Sequence, residues 1–319
     1  MKRVVVAADL GGTHLRAALV DEEGNVFARR ERPTPSKGAE VVELIGTLLG
    51  QVASASVTPP VGACITAPGL VDADAGTVLL APNIEGFRNI HLARPVAEAL
   101  RIPVYIENDA SAAALGEFRF GAGRGARHVL HATLGTGIGG GLVINGRLYR
   151  GARGLAGEIG HMVVDPAGPR CNCGSRGCLE ALVSGVAFAS RAKRMINNGT
   201  SVVLREIVGY TEPTSRHLHQ AALAGDRLSE AEIRNGGHLL GLALGSLVNV
   251  LNPDVVTLSG GLLEIGDMLL GPAREAMYSL AYGPAAATEL KLTTLSDDAG
   301  ILGAAAVAME RLGEGSRRE

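Results

Sequence analysis

The chain has 319 residues, of which 46% are apolar, and its formal net charge is −2. That balance argues against a protein built to coat nucleic acid or an anionic membrane surface, and the length admits one large domain or two ordinary ones. No run reaches the roughly 18 uninterrupted apolar residues of a transmembrane helix. The opening MKRVVVAADLGG is broken by Asp9 too early for a signal peptide, so a cytoplasmic protein is expected. Trp is absent and aromatics are 3%, so the core must be built from Ala, Val, Leu and Ile.

In chain order, residues 2–8 (KRVVVAA) read as a buried strand that leads into DLGGT at 9–13. A second β-like run at 14–20, a polar turn at 21–25 and a third run to about Arg32 make a three-stranded meander. Ser36 is placed to cap a helix over about 37–53, with Val41, Val42, Leu44, Ile45, Leu48 and Leu49 at helical spacing. A short strand at 61–66 carries Cys64 among apolar neighbours, which reads as a buried reduced thiol. Next come a strand near 77–81, a loop with Asn83, a helix near 92–100 and a strand at 104–107. Asn108 and Asp109 then open an Ala-rich helix, and the Gly/Arg-rich stretch 121–127 reads as a connection between lobes. The pattern restarts with a strand at 128–134, a glycine-rich turn, a strand at 141–145 and a turn at Asn145 and Gly146, which hints at a duplication. Residues 179–250 are mainly helical in pattern, and Pro253 ends a long helix. A strand at 254–258, a turn at 259–261 and a helix at 264–281 follow. The final run AGILGAAAVAMERL has no polar face until late and is expected to be buried. This order of elements describes an α/β protein.

The densest chemistry lies at 157–180, GEIGHMVVDPAGPRCNCGSRGCLE. His161, Cys171, Cys173 and Cys178 are the donor types of a closed tetrahedral zinc site, and ligand softness favours zinc over magnesium or calcium. Gly174 and Gly177 let the backbone turn tightly around a small ion. A disulfide with a spare thiol, and a merely packed His161, are the bland alternatives. Four protein ligands leave no open position, so such an ion is structural, and its expected work is to hold Glu158 and Glu180 in place.

Two glycine turns suit phosphate. Asp9 with Gly11, Gly12 and Thr13 joins a carboxylate to amide groups and a hydroxyl, and Asp9 can take a magnesium ion. LGTGIGGG at 134–141 formally matches G-x-G-x-x-G, but a strand rather than a helix follows, which excludes a dinucleotide fold. No P-loop motif occurs. Asp109, where a strand passes into a helix, is a candidate general base; the alternative is a simple helix cap.

Taken together, DLGGT (9–13), APG (67–69), APNI (81–84), END (107–109), LGTGIGGG (134–141), GEIGH (157–161), CNCGSRGCLE (171–180) and SGG (259–261) resemble the ROK family of sugar kinases, and look most like its bacterial glucokinase branch. The likeness covers nearly the whole chain. It implies a two-lobed actin/hexokinase-like (ribonuclease H-like) α/β fold with a structural zinc loop. A small N-terminal lobe at 1–120, with the last helix (about 299–313) packed back on it, would face a larger lobe at 121–298. The resemblance implies Asp109 as the base for the sugar C6 hydroxyl. It implies Asn83, Asn108, Asp109, Glu158, His161 and Glu180 at the sugar. Gly11, Gly12, Thr13, Gly135, Thr136 and Gly137 would lie at the ATP phosphates, Asp9 near Mg2+, and Gly260 and Gly261 near adenosine. His161, Cys171, Cys173 and Cys178 would be the Zn2+ ligands. One departure is His14 after DLGGT, where the family often has Lys or Asn.

The implied partners are a sugar and a nucleotide, with no nucleic acid or membrane, and a homodimer or homotetramer. The implied reaction makes glucose 6-phosphate from glucose and ATP. Kinases for fructose, mannose, N-acetylmannosamine or allose share the same motifs. A sugar-sensing regulator without catalysis is the distant alternative, and the first strand, beginning near residue 2, is expected to leave no room for a DNA-binding module.

Overall fold

The computed structural model describes residues 2–81, 83–295 and 298–315. Strands β1 (Val4–Leu10), β2 (His14–Asp21) and β3 (Val26–Pro33) form the expected antiparallel meander. Its second turn is held by Asp21, whose Oδ1 accepts the N–H groups of Glu23 and Asn25. Helix α1 (Gly38–Ser54) follows, but Ser36 does not cap it. The cap position is Lys37 without a side-chain bond, because backbone pairing with Glu85 fixes the approach to the helix: the Glu85 N–H donates to Ser36 O and the Gly38 N–H to Glu85 O.

Strands β4 (Ala63–Ala67), β5 (Leu70–Asp72), β6 (Thr77–Leu80) and β7 (Arg88–His91) precede helix α2 (Ala93–Leu100), strand β8 (Val104–Asn108) and helix α3 (Asp109–Phe120). After β9 (Val129–Leu134) come β10 (Ile138–Ile144) and β11 (Arg147–Leu148). The glycine-rich turn is therefore only 135–137. Gly139, Gly140 and Gly141 lie inside β10, and a Cβ on Gly141 would meet the Ala110 carbonyl of α3 at 2.9 Å. Helices α4 (Leu179–Val183), α5 (Gly185–Asn197), α6 (Val202–Val208), α7 (Ser215–Leu223) and α8 (Arg227–Leu251) follow, then β12 (Val255–Ser259), α9 (Asp267–Leu280), β13 (Glu289–Leu292) and α10 (Ala299–Gly315).

One sheet has the order β3-β2-β1-β4-β8 and another β11-β10-β9-β12-β13. Each places its third, second, first, fourth and fifth strands in that order, so the repeat hinted at by the two β–turn–β openings reappears as topology. Strands β5, β6 and β7 form a small antiparallel sheet of their own.

The described residues divide into two compact units, one of 2–131, 141–157 and 293–315, the other of 132–140 and 158–292. In the first, β1 is apolar at every position but Asp9 because it is a central strand, with β2 on one side and β4 on the other. Helix α1 buries Val41, Ile45, Leu48, Leu49 and Val52 in a core shared with Val6, Ala8 and Leu15. Each such side chain contributes on the order of 1.5–3 kcal/mol. Helix α10 packs on β1, β4 and α3, and Ile301, Leu302 and the run Ala304 to Ala308 are buried, as its missing polar face required.

This unit also buries an ionic cluster. Arg150 Nε donates to Glu107 Oε2 at 2.7 Å, and its Nη2 donates to Glu310 Oε2 at 3.3 Å. Glu310 Oε1 accepts the Leu148 N–H. Burial pushes the Glu107 carboxyl above the usual carboxylate range, while Arg150 pulls the other way. Removing one partner of a buried pair leaves the other charge uncompensated. Arg150→Met is therefore expected to cost about 3–5 kcal/mol in a denaturant titration at neutral pH. Folded Glu107 holds its proton more tightly than the unfolded chain does, so its contribution to stability falls as pH rises through its raised pKa. The deficit of the variant should accordingly shrink at acid pH, where Glu107 is neutral.

In the second unit α8 is the central helix and α9 packs along it. Leu240, Leu244, Val248, Leu269, Leu270 and Met277 are buried, and β12 is buried at every position. Helix α7 begins with a capping box between Thr214 and His217.

Candidate active site

In the first unit the site residues gather where parallel strands end. Strands β1, β4 and β8 pair so that Asp9 lies beside Thr66, Thr66 beside Glu107, and Ala67 beside Asn108. The carboxyl ends of parallel strands are where α/β sheets present ligands. Asp9 is largely buried and its Oδ1 accepts the Thr66 hydroxyl at 2.8 Å. Burial raises its pKa, against the lowering effect of Thr66 and Arg16. A carboxylate kept from water in this way gains from a cation, so the residue fits the magnesium role. Gly12 and Thr13 are exposed at the tip of the adjoining turn. Thr34 anchors that turn: its hydroxyl donates to Gly11 O and its N–H to Thr13 O. His14 leans on Glu31, with Nδ1 3.8 Å from Oε1.

Asn108, not Asp109, caps α3. Its Oδ1 accepts the Ser111 N–H at 3.0 Å, and its Nδ2 donates to the Gly69 carbonyl at 3.0 Å. Asp109 is the first helical residue, is exposed, and accepts the Ala110 N–H on Oδ1. The helix thus has its cap without Asp109. Asn83 is also exposed, in a loop closed by hydrogen bonds between Ala81 and Phe87 and anchored by buried Ile84 and Phe87.

The second unit holds two further sets. The first is the metal loop. His161 Nδ1 lies 3.7 Å from Cys171 Sγ, Cys173 Sγ lies 3.6 Å from Cys178 Sγ, and all four donor atoms lie within 4.8 Å of one another. Zinc–sulfur and zinc–nitrogen bonds of about 2.0–2.3 Å place tetrahedral ligands about 3.3–3.8 Å apart, so the donor set fits a zinc ion. All four cysteines are free thiols, which removes the disulfide alternative. The Ser175 N–H and the neighbouring Cys171 bring the Cys173 thiol down to about 7, while burial and the other two cysteines push Cys178 up to about 12. Crowded thiols of this kind ionise together only around a cation. The other ring nitrogen of His161, Nε2, faces Glu158 Oε2 at 3.9 Å.

The second set surrounds the glycine turn at 135–137. Gly135, Thr136 and Gly261 line a cleft of about 410 Å³ together with Gly185, Val186, Ala189, Thr214, Ser215, Arg216 and Leu262. Its lining includes glycines and hydroxyls, which suit phosphate, and the apolar Val186, Ala189 and Leu262, which suit a flat ring. Gly137 and Gly260 are not among the lining residues. Glu180 accepts the Ile138 N–H at this turn rather than standing apart from it. The cleft residues on α5 and α7 were not apparent from the sequence, where they form no motif.

A model of the ROK family matches residues 5–311. The chain belongs to the ROK family. It is similar to the glucokinase of Thermotoga maritima, 37% identical over 316 residues that cover 98% of this chain and 99% of that one. Among solved structures, the ROK hexokinase from Thermus thermophilus superposes with a TM-score of 0.85 at 33% identity, covering 99% of this chain and 100% of that one. A ROK family glucokinase from Streptomyces griseus, in complex with glucose and AMPPNP, gives 0.80 at 34% identity, with coverage of 96% and 99%. The expected two-lobed α/β ROK sugar-kinase fold is thus met. Among the described residues, no helix of this ROK protein is long and apolar enough to cross a membrane.

Proposed function

We propose that this chain is an ATP-dependent hexose kinase that phosphorylates glucose at its 6-hydroxyl. The observation that carries the reading is the end-to-end likeness to the Streptomyces griseus enzyme held with glucose and AMPPNP. Lobes at 1–120 (with 299–313) and 121–298 would present the sugar and the nucleotide to each other. Asp109 would accept the C6 hydroxyl proton as the hydroxyl oxygen bonds to the γ-phosphorus. The bond from that phosphorus to the β–γ bridging oxygen breaks, and ADP leaves. Positioning and electrostatics supply most of the acceleration in such transfers.

Asn83, Asn108, Glu158, His161 and Glu180 would hydrogen-bond the sugar hydroxyls, and a site built from such groups rejects analogues lacking one. Gly11, Gly12, Thr13, Gly135, Thr136 and Gly137 would hold the phosphates, and Gly260 and Gly261 would lie by adenosine. Magnesium, when bound with the nucleotide at Asp9, would neutralise the triphosphate. Zinc held by His161, Cys171, Cys173 and Cys178 would be structural, with no ligand position left for substrate. Three cysteines committed to a metal suit the reducing cytoplasm. The proposed assembly is a homodimer or homotetramer, which sedimentation would read.

The test is ADP release with Mg-ATP and a panel of glucose, fructose, mannose, N-acetylglucosamine, N-acetylmannosamine and allose. The expected result is a kcat/KM preference for glucose of at least about tenfold, or 1.4 kcal/mol in transition-state binding. A preference for another sugar would keep the kinase and move its substrate. No turnover with any of them would overturn the reading.

A further inference from the structure

The chain that leaves the metal loop folds at once onto the glycine turn. Cys178 is the last of the four metal-site residues in sequence, and Glu180, two residues later, accepts the Ile138 N–H on Oε2 at 2.9 Å. The N–H groups of Gly185 and Val186 then donate to the carbonyls of Gly135 and Thr136 at 2.8 and 3.2 Å. Residues 178–186 therefore clasp the turn from both ends. Gly137 makes the carboxylate's approach possible, since a Cβ there would lie 2.3 Å from Glu180 Oε2. The bond to Ile138 is charge-assisted, a class roughly twice as strong as neutral pairs. It is also the one side-chain bond of the clasp; the other two are backbone to backbone.

We infer that Glu180 is a positioning residue of the nucleotide subsite, one that fixes the turn at 135–138 and ties its geometry to the metal loop. The inference rests on the reading of the cleft beside Gly135 and Thr136 as the nucleotide site. A residue that only contacts the acceptor sugar has no reason to influence nucleotide affinity when no sugar is present. A residue that shapes the phosphate turn does, because Gly135 and Thr136 line the cleft while Ile138, at the end of the same turn, is held by Glu180, whose carboxylate lies against Gly137. The metal loop and the nucleotide cleft would then share one mechanical link of three residues, 178–180.

The experiment titrates AMPPNP with magnesium, without sugar, into the metal-loaded parent protein, Glu180→Gln and Glu180→Ala by calorimetry, with metal content counted in each. Glu180→Ala is expected to weaken the nucleotide by about tenfold, the loss of one charge-assisted bond that orders the turn. Glu180→Gln keeps an acceptor oxygen at the same reach and is expected to stay within about threefold of the parent. Nucleotide affinity within about twofold of the parent in a metal-replete Glu180→Ala overturns the inference and leaves Glu180 to the sugar alone. Hydrogen exchange at the Ile138 amide needs no alanine variant: protection is expected in the parent and in Glu180→Gln, and exchange as fast as in an exposed loop overturns the inference equally. A parent that binds glucose but no AMPPNP overturns the reading of the cleft itself, and this inference with it.

Discussion

Asp109→Asn is expected to bind glucose with near-parental affinity and to lose about 10²–10⁴-fold in kcat. The substitution leaves the start of α3 intact. Asn108 caps α3 through its own side chain and is tied to Gly69, so the start of the helix does not depend on residue 109. The Asp109 contact to the Ala110 N–H uses a carboxylate oxygen that the Asn carbonyl oxygen can replace. Asn has the shape of Asp and still hydrogen-bonds a hydroxyl, but it takes up no proton at neutral pH. A deficit confined to kcat is therefore a deficit in chemistry, because uniform binding losses would appear in KM. Steady-state kinetics with glucose, alongside direct titration of the sugar, separates the two. A kcat within about tenfold of the parent would remove Asp109 as the base and turn attention to other carboxylates of the site.

The sequence makes the strands of the first sheet legible for a physical reason. Central strands buried on both faces, such as 4–10 and 63–67, must be nearly continuous in apolar residues, and the turn after the first is marked by glycine. Strand β7 was not legible, since Arg88, Asn89, Ile90 and His91 are mostly exposed and carry no alternating pattern. Strand β13, with Glu289 and Leu292 both exposed, is hidden in the same way. Ser36 misled because its type signals a cap, whereas the helix start is fixed by backbone pairing with a residue almost fifty positions away. Gly139 and Gly140 read as turn because glycine usually weakens a strand, but they lie in β10 beside Gly141, where close packing of α3 demands the missing Cβ.

The candidate site divides likewise. His161 and the three cysteines were legible because metal donors are chemically distinctive, and the fold brings them within 4.8 Å of one another. The walls of the nucleotide-sized cleft were not. Gly185, Val186, Ala189, Thr214 and Ser215 offer it backbone atoms and small side chains, and nothing in their local sequence distinguishes them from other helix starts. Glu180 was legible as a candidate, but its hydrogen bond to Ile138 was not, because that contact spans 42 positions and depends on the absence of a side chain at Gly137.

Cys173→Ala is expected to lose the metal and to lower the melting temperature together. Cys173 is exposed, so its truncation opens no cavity and removes no apolar packing of consequence. Without a metal role the change would fall among surface substitutions worth about half a kcal/mol or less. With one, the site is left with a histidine and two thiols, and the ion loses a charged ligand. The loop around it is held otherwise by backbone bonds, among them Cys171 N–H to Ser175 O, Gly174 N–H to Cys171 O, Gly177 N–H to Pro169 O, Val164 N–H to Gly177 O and Leu179 N–H to Met162 O. Its free energy of metal binding is in effect free energy of folding. On the scale where 1 kcal/mol moves a domain of this size by about 2–4 °C, a loss of a few kcal/mol should appear as a drop of roughly 5–10 °C. Elemental analysis should read about one zinc per parent chain and little in the variant, since a structural site of this kind takes one ion. Chelation of the parent should reproduce the same fall in melting temperature, while Asp109→Asn should keep its metal. An unchanged metal content in Cys173→Ala would remove the zinc assignment, and a lost metal with an unchanged melting temperature would show that the ion orders the loop without stabilising the unit that carries it.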